Sequence, residues 1–160
     1  MVQLEDLVGV IRAVKRRTID IVYDLFYSDK RVVAAVVLHY SDFSDVYRKH
    51  DPITLLFGNA YERRQIRTKS SRLMEERRLA FKDKTLDAIL NMHEANMEMP
   101  YENVSWVTIR KGFLGRSLDF MVRMHPKKKI SFSLKRSQVK EARRLLGTIQ
   151  DKAKYDYLTG

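Results

Sequence analysis

The chain has no cysteine among its 160 residues. That excludes disulfides, thiolate metal sites and cysteine nucleophiles. Long apolar runs are missing too. The longest, Val32 to Leu38, is seven residues, whereas a membrane-spanning helix needs about 20. The opening Met-Val-Gln-Leu-Glu-Asp carries neither a basic n-region nor an apolar h-region. This speaks against a secretory signal and for a cytoplasmic protein. The four histidines, His39, His50, His93 and His125, are scattered, with no His-Glu-x-x-His pair, so no metal site is expected. A serine nucleophile elbow and a P-loop are likewise missing. No catalytic residue and no cofactor is expected, and a non-enzymatic role is the working reading. An Asp20–Asp24 carboxylate pair on one strand face is the nearest approach to acid–base chemistry. Those two aspartates are expected to meet Lys or Arg side chains instead.

What the chain does have is positive charge, unevenly placed. Net charge is +11. Residues 1–60 hold 8 basic and 8 acidic side chains, residues 61–100 hold 9 and 7, and residues 101–160 hold 14 and 5. The last segment alone is +9. Such asymmetry favours an acidic partner: an acidic protein surface, nucleic acid or an anionic membrane. Solubility and surface ion pairing account for it equally well.

At this length a single domain spanning 1–160 is expected. Ile19, Ile21, Tyr23, Leu25 and Tyr27 alternate with Asp20, Val22, Asp24 and Phe26, the period of a strand. Three antiparallel strands are expected at roughly 7–14, 18–28 and 31–40, with Ser28-Asp29-Lys30 as a turn. A long, mostly solvated helix is expected over 61–84, with a sparse stripe of Ile66, Leu73 and Ala80. A second helical stripe runs Leu86, Ile89, Leu90, His93, Met97, and Pro100 stops it. Strand alternation resumes at 104–111, 118–124 and 130–134, and Trp106 is expected in the core. Gly112-Phe113-Leu114-Gly115 reads as a hairpin turn, not as a nucleic-acid-clamping loop between helices. Ser137 is the expected N-cap of a final helix. Its Val139, Ala142, Leu146, Ile149 and Ala153 step by three and four along one apolar face. Gly147 sits inside that stripe, where it ends the helix early or costs it about 1 kcal/mol.

Two short stretches resemble motifs of prokaryotic pleckstrin-homology-like domains. Leu25-Phe26-Tyr27-Ser28-Asp29-Lys30-Arg31-Val32-Val33 resembles their hairpin of leucine, aromatic, hydroxyl, acidic or amide residue, lysine, arginine and two aliphatics. Met99-Pro100-Tyr101-Glu102-Asn103-Val104 resembles the lead-in to a later strand. The resemblance covers residues 8–40 and 99–155. It implies an α+β fold: a bent antiparallel sheet, or partly open barrel, capped by the C-terminal helix. Residues 41–98 then form a helical insertion between the two halves of the sheet. It also implies a binding or scaffolding module.

Three basic sets are the candidate ligand contacts. Lys15-Arg16-Arg17 lies where the first two strands turn. In pleckstrin-homology domains, basic residues of that loop hold phosphorylated head groups, and Arg forks suit phosphate. A solvated turn that blunts a sheet edge is the plainer alternative. Lys127-Lys128-Lys129 marks a hairpin tip. Lys140, Arg143 and Arg144 share the helix face opposite the apolar stripe, where they track a phosphate backbone or are simply solvated. The leading partner is a protein with an acidic surface, then nucleic acid and an anionic membrane, with homo-oligomers through sheet edges or the long helix also open.

Overall fold

A computed structural model of the chain describes residues 6–16, 21–43, 60–112, 115–123 and 127–149. Seven strands form one antiparallel sheet: β1 (Leu7–Arg16), β2 (Val22–Ser28), β3 (Arg31–Leu38), β4 (Met97–Pro100), β5 (Val104–Gly112), β6 (Gly115–Val122) and β7 (Lys128–Leu134). Their spatial order is β4-β3-β2-β1-β7-β6-β5. The sheet does not close: β4 and β5 are its two edges. Only the 3-10 turn Tyr101–Asn103 separates those edges in sequence. Three α-helices complete the described fold: α1 (Ala60–Phe81), α2 (Leu86–Leu90) and α3 (Val139–Thr148).

Inward side chains from every strand meet α3 in one core. Val14, Tyr23, Leu25, Val32, Met99, Val107, Phe120 and Phe132 are all inaccessible or nearly so, as are Ala142, Leu145 and Leu146 of α3. Val139, Ala142, Leu146 and Ile149 of the stripe read in the last helix therefore plug the sheet, with Leu145 added to them; Ala153 lies outside the described residues. Gly9 shows how tightly the plug sits. A Cβ there would lie 2.6 Å from Leu145 Cδ2 and 3.1 Å from Arg144 Nη2. Gly9→Val should lift α3 from β1 and cost about 1–3 kcal/mol by overpacking, measured as a lowered midpoint of thermal unfolding.

A second, smaller core lies on the opposite face of β2 and β3. Val33, Ala35 and Val37 pack there against Phe81 of α1 and Ile89 of α2, flanked by Val22, Phe26, Met74, Leu86 and Leu90. The run Val32 to Leu38 is apolar without alternation because β3 is covered on both faces. From α1, Met74 and Phe81 pack on this core; Ile66 and Leu73 are half-buried, while Leu79 and Ala80 face solvent.

Several expectations are corrected. The second helix ends at Leu90, and Met97 begins β4, where it pairs with Ala34 of β3. Thr85 caps α2, its Oγ1 accepting the Ala88 N–H. Pro100 ends an edge strand, where its missing N–H costs no ladder bond. Ser137 does not cap α3. It lies in a 3-10 turn (Arg136–Gln138). Gln138 ties that turn down instead, its Oε1 accepting the Lys135 N–H and its Nε2 donating to Arg12 O. Gly147 lies within α3, which runs one residue further. Trp106 faces outward: a register shift between Val104 and Trp106 reverses the alternation, so Val104 and Val107 both point inward. A second bulge does the same in β1. Ala13 has φ +55° and the register slips between Ile11 and Val14, so Ile11 and Val14 both reach the core.

The stretches that carry the family resemblance touch one another. Arg31 pairs with Pro100 and Val32 with Met99. The Tyr101 hydroxyl donates to Ser28 O at 2.8 Å, and the Tyr101 N–H to Lys30 O. Ser28 Oγ accepts the N–H groups of Lys30 and Arg31, closing the turn. Arg31 then joins this corner to Asp87 of α2 and Glu98 of β4.

Candidate binding surface

The buried charges are occupied by the fold. Asp24 on β2 has 2% of its side chain exposed. Arg78 of α1 donates to it twice, Nε to Oδ2 at 2.7 Å and Nη2 to Oδ1 at 3.0 Å. The Ala13 N–H, freed by the bulge, donates to Oδ1 at 2.8 Å. Asp24 thus meets an arginine as expected, but from the helix, not across the sheet. The arginine is held protonated well above its ordinary value, first by these Asp24 hydrogen bonds and against the pull of burial. A groove of about 330 Å³ runs over this pair, lined by Val10, Arg12, Phe26, Leu79 and Lys82 among others. Its carboxylate is fully engaged, so the groove contains no free acid or base at Asp24. Asp20 lies outside the described residues.

A second arginine fork, Arg77 to Asp42 at 2.8 and 2.7 Å, pins α1 to the 3-10 turn Tyr40–Phe43. Burial pushes the Asp42 carboxyl up, but Arg77 and the His39 N–H outweigh it and hold it below the ordinary range. The His39 and His93 rings lie beside this pair with centroids 5.3 Å apart. His93 Nδ1 accepts the Ala95 N–H at 3.0 Å, so its proton sits on Nε2 and the neutral ring is the one the fold uses. Burial lowers its pKa from the ordinary 6.5, helped by His39 and Arg77 and opposed by Glu94 and Asp42. A base whose folded-state pKa is depressed binds more protons when unfolded. Its contribution to stability is therefore complete above pH 6.5 and is lost as pH falls below that value. Urea midpoints of the native chain should drop between pH 7.5 and pH 5.5, and His93→Gln should flatten that dependence.

The sequence-predicted cations divide. The antiparallel pairing sets Lys15 beside Ser133 and Arg16 beside Phe132, toward the C-terminal end of β7. Lys15 is exposed at this end, whereas Lys127, Lys128 and Lys129 are exposed at the opposite end, the start of β7. Arg16 turns toward the Tyr23 phenol, whose pKa burial raises against the lowering pull of that guanidinium. Arg17 lies outside the described residues. Lys129 reaches Asp119 at 3.1 Å. On α3, Lys140, Arg143 and Arg144 are exposed opposite the plug. Arg144 is tied to Glu141 by two hydrogen bonds. The helix set follows the C-terminal end of β7, the end beside Lys15. Among the described residues, no group of three or more His, Asp or Glu side chains is placed to hold a metal ion, and no helix is long and apolar enough to cross a membrane.

The outward face of β5, β6 and β7 was not singled out by sequence reasoning. Its ladder forms three rows. Trp106 stands beside Met121 and Lys129, Thr108 beside Asp119 and Ser131, and Arg110 beside Ser117 and Ser133, with Lys15 of β1 next in line. Asp119, at the centre, is 1% exposed and lies 3.3 Å from Arg110 and 3.1 Å from Lys129. Neither of its oxygens has a partner in hydrogen-bonding geometry. The Arg110 guanidinium sits 5.6 Å from the Trp106 ring centroid. The signal that could have found this face was the alternation itself: Ser117, Asp119 and Met121, then Lys129, Ser131 and Ser133, occupy the polar phase of their strands.

Fold and surface together define an α+β protein built on an open seven-stranded antiparallel sheet with a C-terminal helix. No family model, no curated protein and no solved structure matches the chain.

Proposed function

We propose that the chain is a non-enzymatic binding or scaffolding module of pleckstrin-homology-like type that recognises an acidic partner. An open antiparallel sheet plugged by a terminal helix is consistent with that family's architecture, and the two resembling stretches pack against each other at one corner of the sheet. One observation carries the functional half of the reading. The buried carboxylates Asp24 and Asp42 are taken by arginines of α1, while Lys15, Lys127, Lys128, Lys140 and Arg143 are exposed and make no ion pair among the described residues. Cations left in solvent raise the local potential and steer an acidic partner. An acidic protein surface is the simplest complement.

Retention on heparin that falls with salt, together with a defined cross-linked complex, is the expected result. A chain that elutes as a monomer and binds no polyanion at any ionic strength would sink the reading. Sedimentation with liposomes containing anionic lipid, set against neutral ones, separates a membrane from a macromolecular partner.

A further inference from the structure

We propose that the outward face of β5, β6 and β7 binds single-stranded nucleic acid, with Trp106 as the stacking platform and Arg110, Lys129 and Lys15 as the phosphate contacts. This rests on the acidic-partner reading and, for this face, names a nucleic acid in place of the acidic protein surface that is the simplest complement to the exposed lysines.

The two halves of the sheet differ in what they show on the outside. Outward positions on β3 are Val33, Ala35 and Val37, and helices cover them. Outward positions on β5 to β7 are hydroxyl or charged groups apart from Trp106 and Met121; Thr108, Ser117 and Asp119 are buried, Arg110, Lys129 and Ser133 are exposed around them, and no helix among the described residues packs on the face. A face meant for the protein's own helix is apolar, whereas this one is composed for a wet, polar partner. With strands about 4.8 Å apart and alternate residues about 6.8 Å apart, the patch extends about 14 Å in each direction.

Its charges are arranged for an anion. Asp119 draws Arg110 and Lys129 over the centre of the face from opposite corners. One carboxylate cannot occupy the five N–H donors of an arginine and the three of a lysine, so donors remain for phosphate oxygens. Asp119 is a positioning residue here. Lys15 adds a further cation beyond Ser133. Trp106 is partly exposed and already in contact with a guanidinium. A nucleobase can take the same ring by stacking, with Arg110 adding a cation–π contribution.

Those features favour nucleic acid over an acidic peptide, which needs the cations but makes no use of an aromatic platform. They favour a single strand over a duplex, because a shallow sheet face has nothing to enter a groove and a paired base has no face to offer.

Trp106 is the chain's only tryptophan, so its fluorescence reports on this face directly. The full chain should be titrated at low salt with a labelled 20-nucleotide oligo(dT), monitoring both anisotropy and tryptophan emission. Heparin, polyglutamate and a duplex of equal length are the comparison arms. The expected result is saturable binding with quenching. Trp106→Ala should weaken it about ten-fold and Trp106→Phe much less. Arg110→Ala and Lys129→Ala alter exposed side chains, and each should lower the salt slope by about 0.7. Binding of heparin or polyglutamate as tightly as oligo(dT), or oligo(dT) binding without quenching, overturns the inference and leaves the acidic-partner reading in place. Equal competition by duplex also overturns it. No binding to any polyanion at low salt overturns both.

Discussion

Asp24→Ala should destabilise the fold by about 3–5 kcal/mol, the cost of leaving a buried charge without its partner. Arg78 is 17% exposed and Asp24 only 2%, so little water can replace the lost carboxylate. The same substitution orphans the Ala13 N–H at the β1 bulge, a half-buried donor whose loss costs at most about 1–3 kcal/mol. These two losses overlap in one site and are not to be added. Asp24→Asn should cost less, because an amide oxygen still accepts the Ala13 N–H. Asp24→Ala combined with Arg78→Met should recover part of the loss, since the stranded guanidinium is gone while the bulge amide stays unpaired. Urea midpoints across the four chains test the order. A cost below about 1 kcal/mol for Asp24→Ala would mean that the pair behaves as an exposed one.

That pair also marks what could be seen in the sequence and what could not. The alternation of Ile21, Tyr23, Leu25 and Tyr27 against Val22, Asp24 and Phe26 is local, and the fold obeys it: the first set lines the main core, while Val22 and Phe26 meet the helices. The apolar stripe of α3 was legible for the same reason, since burial of one helical face writes a period into the chain. The partner of Asp24 was not legible. Arg78 lies 54 residues away, and nothing in either neighbourhood names the other. Bulges hide in the same way. The extra residues near Ala13 and between Val104 and Trp106 cost no distinctive residue type, yet each reverses the face of the residues after it. Trp106 therefore moved from an expected core position to the outer surface, and the candidate nucleic-acid platform moved with it. Met97 shows a third limit. His93 and Met97 fit a helical stripe as readily as a strand, and the ladder to Ala34 decides the matter. The basic clusters were legible as charge, but which cations remain free depends on Asp119, Glu141 and Tyr23, whose closeness only the fold creates.

Phe132→Ala should cost about 3–5 kcal/mol, and its effect should centre on the seam between the two halves of the sheet. Among the described residues the ladder joining β1 to β7 consists of two residue pairs, fewer than any hairpin of the sheet offers. Side chains must therefore hold what backbone pairing does not. Phe132 is fully buried at that seam. Its ring meets Tyr23 edge-on at 5.9 Å from one half and Phe120 at 6.1 Å from the other, contacts that add to plain burial. Removing it leaves a cavity where the halves join, so the amides of Lys15, Arg16 and Ser133 should exchange with solvent faster, while those of the β2–β3 hairpin keep their protection. Phe132→Leu, which refills most of the volume, should cost less than half as much. The seam also sets Lys15 beside Ser133 on the outer face, so Phe132→Ala should weaken oligo(dT) binding under conditions where the chain is still folded. Uniform acceleration of exchange across all seven strands would show that the halves are not joined through this ring.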